Sequence, residues 1–187
     1  MIIERVWAMP NGKTFTIKPI KELIKNELVE GVILDAFAND CSIKDIMAEK
    51  HKYISNDLDP AYQTDYHLDA LEFFKQFESN SVDMVLYDPP YSPRQVSECY
   101  RELGQSVNWQ TTQASYWGDQ KKEIARILKC NGKVITFGWN SGGIGKTKGF
   151  DITKILLVPH GGWHNDTVCT VEVKKKTVPI HKQLKLF

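Results

Sequence analysis

The chain contains 187 residues, 42% of them hydrophobic, and its formal net charge of +1 neither requires nor excludes a nucleic-acid partner. This length and composition suffice for one domain with a sizeable core. No apolar run reaches transmembrane length and no signal peptide is recognisable, which excludes a membrane-spanning protein and leads us to expect a cytoplasmic one. Four cysteines without paired or metal-ligand spacing favour reduced thiols and no bound metal; they are Cys41, Cys99, Cys130 and Cys169.

Strand and helix patterns alternate along the chain, which predicts an α/β fold with a mainly parallel sheet and crossover helices. The last two strands are separated by a Gly-rich turn, so we expect them to pair as a hairpin that leaves one strand antiparallel. We assign residues 1–176 to this domain and 177–187 to a C-terminal tail. In chain order, the predicted elements are an amphipathic helix after Pro19, strand 31–36, helix 42–49, strand 52–56, helix 69–78, strand 82–88, helix 119–129, and strands 133–138, 152–158 and 167–173.

Asp88, Pro89, Pro90 and Tyr91 follow directly on the buried apolar run 82–87. The carboxyl ends of parallel strands are where α/β sheets bind ligands. The Asp88 carboxylate can accept a hydrogen bond from an exocyclic amino group, and the rigid prolines hold out the Pro89 carbonyl as a second acceptor. Tyr91 offers a ring on which a planar base can stack. The tetrapeptide therefore predicts a site for methylating the NH2 group of a planar ring.

This tetrapeptide resembles the (D/N/S)PP(Y/F) signature of the amino-methyltransferases, which use S-adenosylmethionine to methylate adenine N6 or cytosine N4 in DNA. The resemblance implies a Rossmann-like methyltransferase fold with a seven-stranded sheet, S-adenosylmethionine as cofactor and a base flipped out of the duplex. Adenine is preferred because DPPY is commoner in the adenine enzymes. The alternatives are methylation of cytosine N4, RNA or a glutamine amide, and a non-catalytic relative that binds DNA or a sliding clamp.

The cofactor loop of this family is similar to the segment that begins at Asp35 and Phe37, but its two glycines are replaced by Asn39 and Cys41. Glycine permits positive φ and close approach of the backbone to a ligand. Because Asn also tolerates the left-handed conformation, the turn can survive the replacement. The other cofactor-binding residues that the resemblance implies are Thr16, Lys18 and Pro19 beside the methionine, Asp57 on the ribose hydroxyls, and Asp69 on the adenine amino group.

The polar and aromatic segment 92–118 follows this tetrapeptide directly and is poorly periodic. Arginine and glutamine side chains read base edges, and aromatic rings stack on bases. We therefore expect this segment to approach the target strand through Arg94, Gln95, Trp109 and Gln113. Since the chain has no room for a separate recognition domain, we expect a short or relaxed target sequence, or specificity that comes from a homodimer or another partner.

The C-terminal residues Gln183, Leu184, Leu186 and Phe187 resemble the Q-L-x-L-F peptide by which bacterial proteins dock on the replicative sliding clamp. The three apolar side chains would enter hydrophobic pockets, and Gln183 would hydrogen-bond at the pocket edge. The alternative is an ordinary apolar tail that folds back on the core.

Three further patterns have ordinary structural explanations. Gly143–Thr147 is similar to a phosphate-binding loop, but lacks the first glycine of that pattern. His160 and His164 lie in a Gly-rich turn with no third metal ligand in evidence, so packing or a phosphate contact is the expected role. We expect Trp139 and Trp163 to be core or rim aromatics rather than stacking surfaces.

Overall fold

The computed structural model describes residues 1–104, 114–162 and 164–175. It contains four α-helices and seven strands within those residues. The helices are α1 (Lys18–Glu27), α2 (Ala70–Lys75), α3 (Pro93–Glu102) and α4 (Ala114–Ile127). The strands are β1 (Ile2–Arg5), β2 (Gly31–Asp35), β3 (His51–Ser55), β4 (Val82–Tyr87), β5 (Leu128–Gly138), β6 (Phe150–Val158) and β7 (Thr167–Lys174).

The seven strands form one sheet in the order β1-β6-β7-β5-β4-β2-β3. All neighbouring strands are parallel except β7, which runs antiparallel to both β5 and β6. The predicted fold class, with one antiparallel strand and a closing hairpin, is confirmed. Because β2, β3, β4 and β5 are parallel, their carboxyl ends lie along one edge of the sheet, where Asp88 follows β4.

The core lies on both faces of the sheet. On one face α1 buries Ile20 and Ile24 against β2, β4 and β5. On the other, α2 contributes Phe73 and Phe74, and α4 contributes Ile124 and Ile127 as part of its apolar stripe. Each of these fully buried side chains stabilises the fold by about 1.5–3 kcal/mol relative to exposure. Within the described residues, no helix is long and apolar enough to cross a membrane.

The predicted helix over 42–49 is wrong. Asn39 and Cys41 both have positive φ, 46° and 54°, and turn the chain sharply at the point where the helix would start. Only a short 3-10 turn forms, at Lys44–Ile46, and the chain is extended again at Met47. The connection from β2 to β3 therefore has no α-helix, and Ile46 and Met47 pack on the core from an irregular segment.

The segment 92–118 is more regular than predicted, because α3 and the start of α4 lie within it. The Ser92 hydroxyl caps α3 by accepting a hydrogen bond from the Gln95 backbone N–H (3.3 Å), and Pro93 occupies the first turn. Strand β1 was not among the strands predicted from the sequence. Its four residues are all exposed at the edge of the sheet.

Candidate active site

A cavity of about 420 Å³ opens at the carboxyl edge of the sheet. Its volume lies within the ordinary range of small-molecule sites. The loops that follow β2, β3 and β4 form its floor, and residues of α3 and α4 form its roof. The lining includes Thr14, Ala36, Phe37, Asn39, Asn56, Asp57, Leu58, Asp59, Tyr62, Leu68, Asp69, Asp88, Pro89, Pro90, Tyr91, Gln95, Cys99, Tyr100 and Tyr116.

Asp88 lies in this lining at the exit of β4, partly open to the cavity and otherwise enclosed by protein. The Tyr91 hydroxyl donates a short hydrogen bond to its Oδ1 atom. Burial raises the pKa of Asp88 to about 6, and this effect outweighs the opposing hydrogen bonds with Tyr91 and Thr14. Asp88 is therefore mainly ionised at neutral pH, but its pKa lies close enough to neutrality for the carboxylate to take up a proton.

Two side chains from the helices hold the Pro90–Tyr91 segment in place. The Trp117 indole Nε1–H of α4 donates to the Pro90 carbonyl (3.0 Å). The Tyr91 backbone N–H donates to Oε1 of Gln95 in α3 (2.6 Å). Gln95, which the sequence analysis predicts to contact DNA, lines the cavity and supports the Pro90–Tyr91 segment. Pro89 is a buried residue in the cavity lining, and its carbonyl receives no hydrogen bond from the described residues.

Asp57 joins the loops after β2 and β3. Its Oδ2 atom accepts a hydrogen bond from the Asn39 backbone N–H (2.9 Å), and its Oδ1 accepts from the Asp59 backbone N–H (2.9 Å). Burial raises the pKa of Asp57 despite these bonds. Asn39 and Cys41, which replace the two expected glycines, both have the left-handed φ that glycine would have permitted. The turn is therefore retained without its glycines.

Asp69 caps α2 by accepting from the Leu71 backbone N–H (2.9 Å). Its other carboxylate oxygen accepts from the Tyr100 hydroxyl (2.5 Å) and the Tyr116 hydroxyl (3.5 Å). Burial raises the pKa of both tyrosines, that of Tyr116 to about 12, so both stay protonated donors at neutral pH. The sequence analysis missed both tyrosines, and no spacing in the chain links them to Asp69. They connect α3 and α4 to the floor of the cavity.

Thr16, Lys18 and Pro19, which the resemblance places beside the methionine of the cofactor, are not among the residues that line the cavity. The Thr16 hydroxyl donates to the Lys13 carbonyl (2.8 Å) within its own turn, and Lys18 is exposed. Pro19 occupies the first turn of α1. Thr14, two residues earlier, lines the cavity instead.

Asp35 is also absent from the lining, because it is buried behind the loop. Its carboxylate accepts hydrogen bonds from the Tyr53 hydroxyl (2.8 Å) and the Phe37 backbone N–H (3.4 Å). Burial raises the pKa of Asp35 to about 7, more than these two bonds lower it. Asp35 therefore shapes the loop, and Phe37 is the member of the predicted pair that faces the cavity.

Among the remaining predicted contact residues, only Arg94 lies in the described part of the chain, and it does not line the cavity. Arg94 is exposed on α3, where it forms an ion pair with Glu98 (2.7 Å). Trp109 and Gln113 lie outside the described residues, as do Trp163 and the clamp-binding residues Gln183, Leu184, Leu186 and Phe187.

The loop similar to a phosphate-binding loop is filled by the protein itself. The backbone N–H groups of Ile144 and Gly145 donate to the buried Glu172 carboxylate (2.6 and 3.0 Å). His160 is likewise a packing residue, since its ring nitrogens contact the Ala8 carbonyl (2.9 Å) and the Thr167 hydroxyl (2.8 Å).

Comparisons with known proteins identify the fold. No family model matches the sequence, and no curated protein matches it. N-methyltransferase NodS from Bradyrhizobium japonicum matches with a TM-score of 0.58 at 8% identity, over 85% of this chain and 94% of its own. The 1,6-didemethyltoxoflavin-N1-methyltransferase of Burkholderia thailandensis, solved with S-adenosylhomocysteine bound, matches with 0.57 at 13% identity, over 84% of this chain and 77% of its own.

TrmN from Thermus thermophilus also matches, with a TM-score of 0.57 at 17% identity over 84% of this chain. The match covers 49% of TrmN, so the chain spans about half the length of that relative. At these identities the likeness establishes the fold alone. The chain has the α/β fold of these methyltransferases.

Proposed function

We propose that this protein is an S-adenosylmethionine-dependent DNA methyltransferase that acts on an exocyclic amino group, namely N6 of adenine. The observation that carries the proposal is the arrangement of Asp88, Pro89 and Tyr91 in the lining of the cavity. The cavity lies at the carboxyl edge of a sheet with the methyltransferase fold, where ligands of such sheets bind. Adenine is chosen over cytosine on the family preference for DPPY.

The cofactor fits the half of the cavity formed by the loops after β2 and β3. The Asp57 carboxylate is placed to accept hydrogen bonds from ribose hydroxyls. Phe37 and the left-handed turn at Asn39 would line the same region. An adenine amino group would have to share Asp69 with Tyr100, so we assign the main polar contact to Asp57. When bound, S-adenosylmethionine supplies the electrophilic methyl group.

The exocyclic nitrogen of adenine is a poor nucleophile, because its lone pair is delocalised into the ring. Hydrogen bonds from its two N–H groups to the Asp88 carboxylate and the Pro89 carbonyl would localise that pair and stabilise the positive charge that develops. The nitrogen gains the methyl carbon as the carbon–sulfur bond breaks, and then loses one proton. Asp88, with a pKa of about 6, is placed to accept that proton.

The retained left-handed turn argues against the non-catalytic alternative. That alternative rests on the loss of glycine at Asn39 and Cys41, yet both positions have the positive φ that glycine would permit. Two partner proposals accompany the function. DNA is the substrate, and the tail segment 183–187 docks on a bacterial sliding clamp.

Cofactor binding and methyl transfer test the proposal together. Calorimetry should detect S-adenosylmethionine binding to the wild-type protein, and Asp57→Ala should weaken it at least about tenfold through lost hydrogen bonds to a charged group. Asp45→Ala is the matched control, because Asp45 is exposed and pairs with Lys21 (2.7 Å) away from the cavity. Labelled methyl should then enter DNA. Absence of cofactor binding, or transfer to RNA or protein but not to DNA, would refute the proposal.

A further inference from the structure

Trp139 lies beside the segment 88–91, the proposed catalytic loop. It is the first residue after β5, and β5 is the parallel neighbour of β4, so Trp139 and Asp88 leave the sheet at the same edge. The Trp139 and Tyr91 ring centroids are 5.5 Å apart, and the ring planes meet at 66°. Despite this contact, 44% of Trp139 remains exposed to solvent. An indole face is therefore displayed directly next to the ring on which we place the target base.

The surroundings of Trp139 leave this face accessible. The next three residues, Asn140, Ser141 and Gly142, are exposed and carry only small polar side chains or none. The Asn140 carboxamide turns back on its own loop and accepts a hydrogen bond from the Gly142 backbone N–H (2.9 Å). A single exposed apolar side chain needs no explanation by itself. What distinguishes Trp139 is its contact with Tyr91, whose side chain belongs to a residue that lines the cavity.

We propose that Trp139 binds, by stacking, the base next to the methylated base in an unpaired DNA strand. The inference rests on the proposed function and adds a residue that distinguishes unpaired from duplex DNA. A base in a duplex is already stacked on its neighbours, so its face is available to an indole only when the strand is single or locally opened. Stacking tolerates any base, because each has a π face. The protein therefore prefers unpaired DNA and reads little sequence through this contact.

Trp7 provides a matched control. It is also exposed (61%), but it follows β1 at the far edge of the sheet, three strands away from β5. Trp139→Leu and Trp7→Leu both replace an exposed indole by an apolar side chain without a π face. Trp139→Phe keeps a smaller aromatic face, which makes it the graded variant.

Steady-state kinetics on a single-stranded oligonucleotide with one target adenine test the inference. Trp139→Leu should raise KM for the oligonucleotide about tenfold, within the range measured for single base–aromatic stacks. The kcat value, the affinity for S-adenosylmethionine and the thermal midpoint should stay near wild type, and Trp139→Phe should fall between. Trp7→Leu should match the wild type. On a duplex of the same sequence, Trp139→Leu should have a smaller effect.

An abasic site beside the target adenine separates stacking from a structural role. If Trp139 stacks on that neighbouring base, removal of the base on one side of the target adenine should raise the KM of the wild-type protein. The same abasic site should leave the KM of Trp139→Leu unchanged. The inference is overturned if the KM of Trp139→Leu lies within twofold of the wild-type value, or if the abasic site affects both proteins equally. The proposed function is unaffected by either result as long as the wild-type protein methylates DNA. If the wild type methylates no DNA, both fall together.

Discussion

Replacement of Asp88 by Asn should increase the free energy of unfolding above pH 6. The pKa of Asp88 is raised from 3.8 to about 6, chiefly because burial disfavours the charged carboxylate. Since the folded state then binds the proton more tightly than the unfolded chain, the contribution of Asp88 to stability is fully present below pH 4. It is lost as the pH rises through about 6. The Asn side chain has no charge at any of these pH values.

The size of the effect follows from that shift. A shift of two units corresponds to about 3 kcal/mol of unfavourable free energy for the ionised form in the folded protein. The wild-type carboxylate also accepts a hydrogen bond from Tyr91, and weakening of this bond in the variant offsets about 1 kcal/mol. Asp88→Asn should therefore gain about 2 kcal/mol at pH 8, or roughly 4–8 °C in thermal midpoint. The gain should disappear near pH 4.

Urea unfolding at pH 4 and pH 8 measures this difference. Asp83, at the other end of β4, is the matched control. Its carboxylate forms an ion pair with Lys129 (2.9 Å) and accepts from the Val32 backbone N–H (2.9 Å), so Asp83→Asn should lose about 1–2 kcal/mol and keep its methyl transfer. If Asp88→Asn is less stable than wild type at pH 8, or gains equally at both pH values, the ionised form of Asp88 is not disfavoured in the folded protein and the reasoning is wrong.

Three further predictions concern the catalytic loop, the cofactor loop and the tail. Trp117→Phe removes the donor to the Pro90 carbonyl (3.0 Å) but keeps an aromatic ring. The kcat value should fall about tenfold while calorimetry shows unchanged cofactor affinity. An unchanged kcat would contradict the role of Trp117 in positioning Pro90. Cys41→Gly should raise the free energy of unfolding in urea by up to about 1 kcal/mol. Glycine relieves the strain of the positive φ at position 41, and this gain exceeds the cost of the entropy added to the unfolded chain. A loss of stability would refute this prediction. Deletion of 183–187 should abolish binding to an immobilised sliding clamp without changing methyl transfer, and the clamp proposal fails if the full-length chain does not bind either.

The parts of the fold that depend on local apolar runs could be predicted from the sequence. Strands β2, β4, β6 and β7 lie within about two residues of the predicted bounds, because each contains closely spaced apolar side chains that the sheet buries. Strand β1 could not be found in this way, since its four residues are all exposed and have no burial pattern. The start of α3 could have been predicted from Ser92 and Pro93, because a capping serine followed by a first-turn proline is typical of a helix N-terminus.

The candidate site shows a similar division. Asp88 follows β4 directly and Asp57 lies two residues after β3. The parallel sheet brings the ends of those strands to one cavity, so the position of both residues follows from strand order. The contacts of Tyr100 and Tyr116 with Asp69 join residues that lie 31 and 47 positions apart. Such contacts depend on how α3 and α4 pack across the sheet, and no periodicity in the sequence encodes that packing.

Nucleoside analysis of methylated DNA tests the central claim most directly. Purified protein is incubated with S-adenosylmethionine and unmethylated DNA, and the DNA is digested to nucleosides and examined by mass spectrometry. We expect N6-methyldeoxyadenosine with the wild-type protein and none above background with Asp88→Ala. N4-methyldeoxycytidine as the product would contradict the choice of adenine. Equal product from Asp88→Ala and wild type would contradict the role of this carboxylate and, with it, the proposed mechanism.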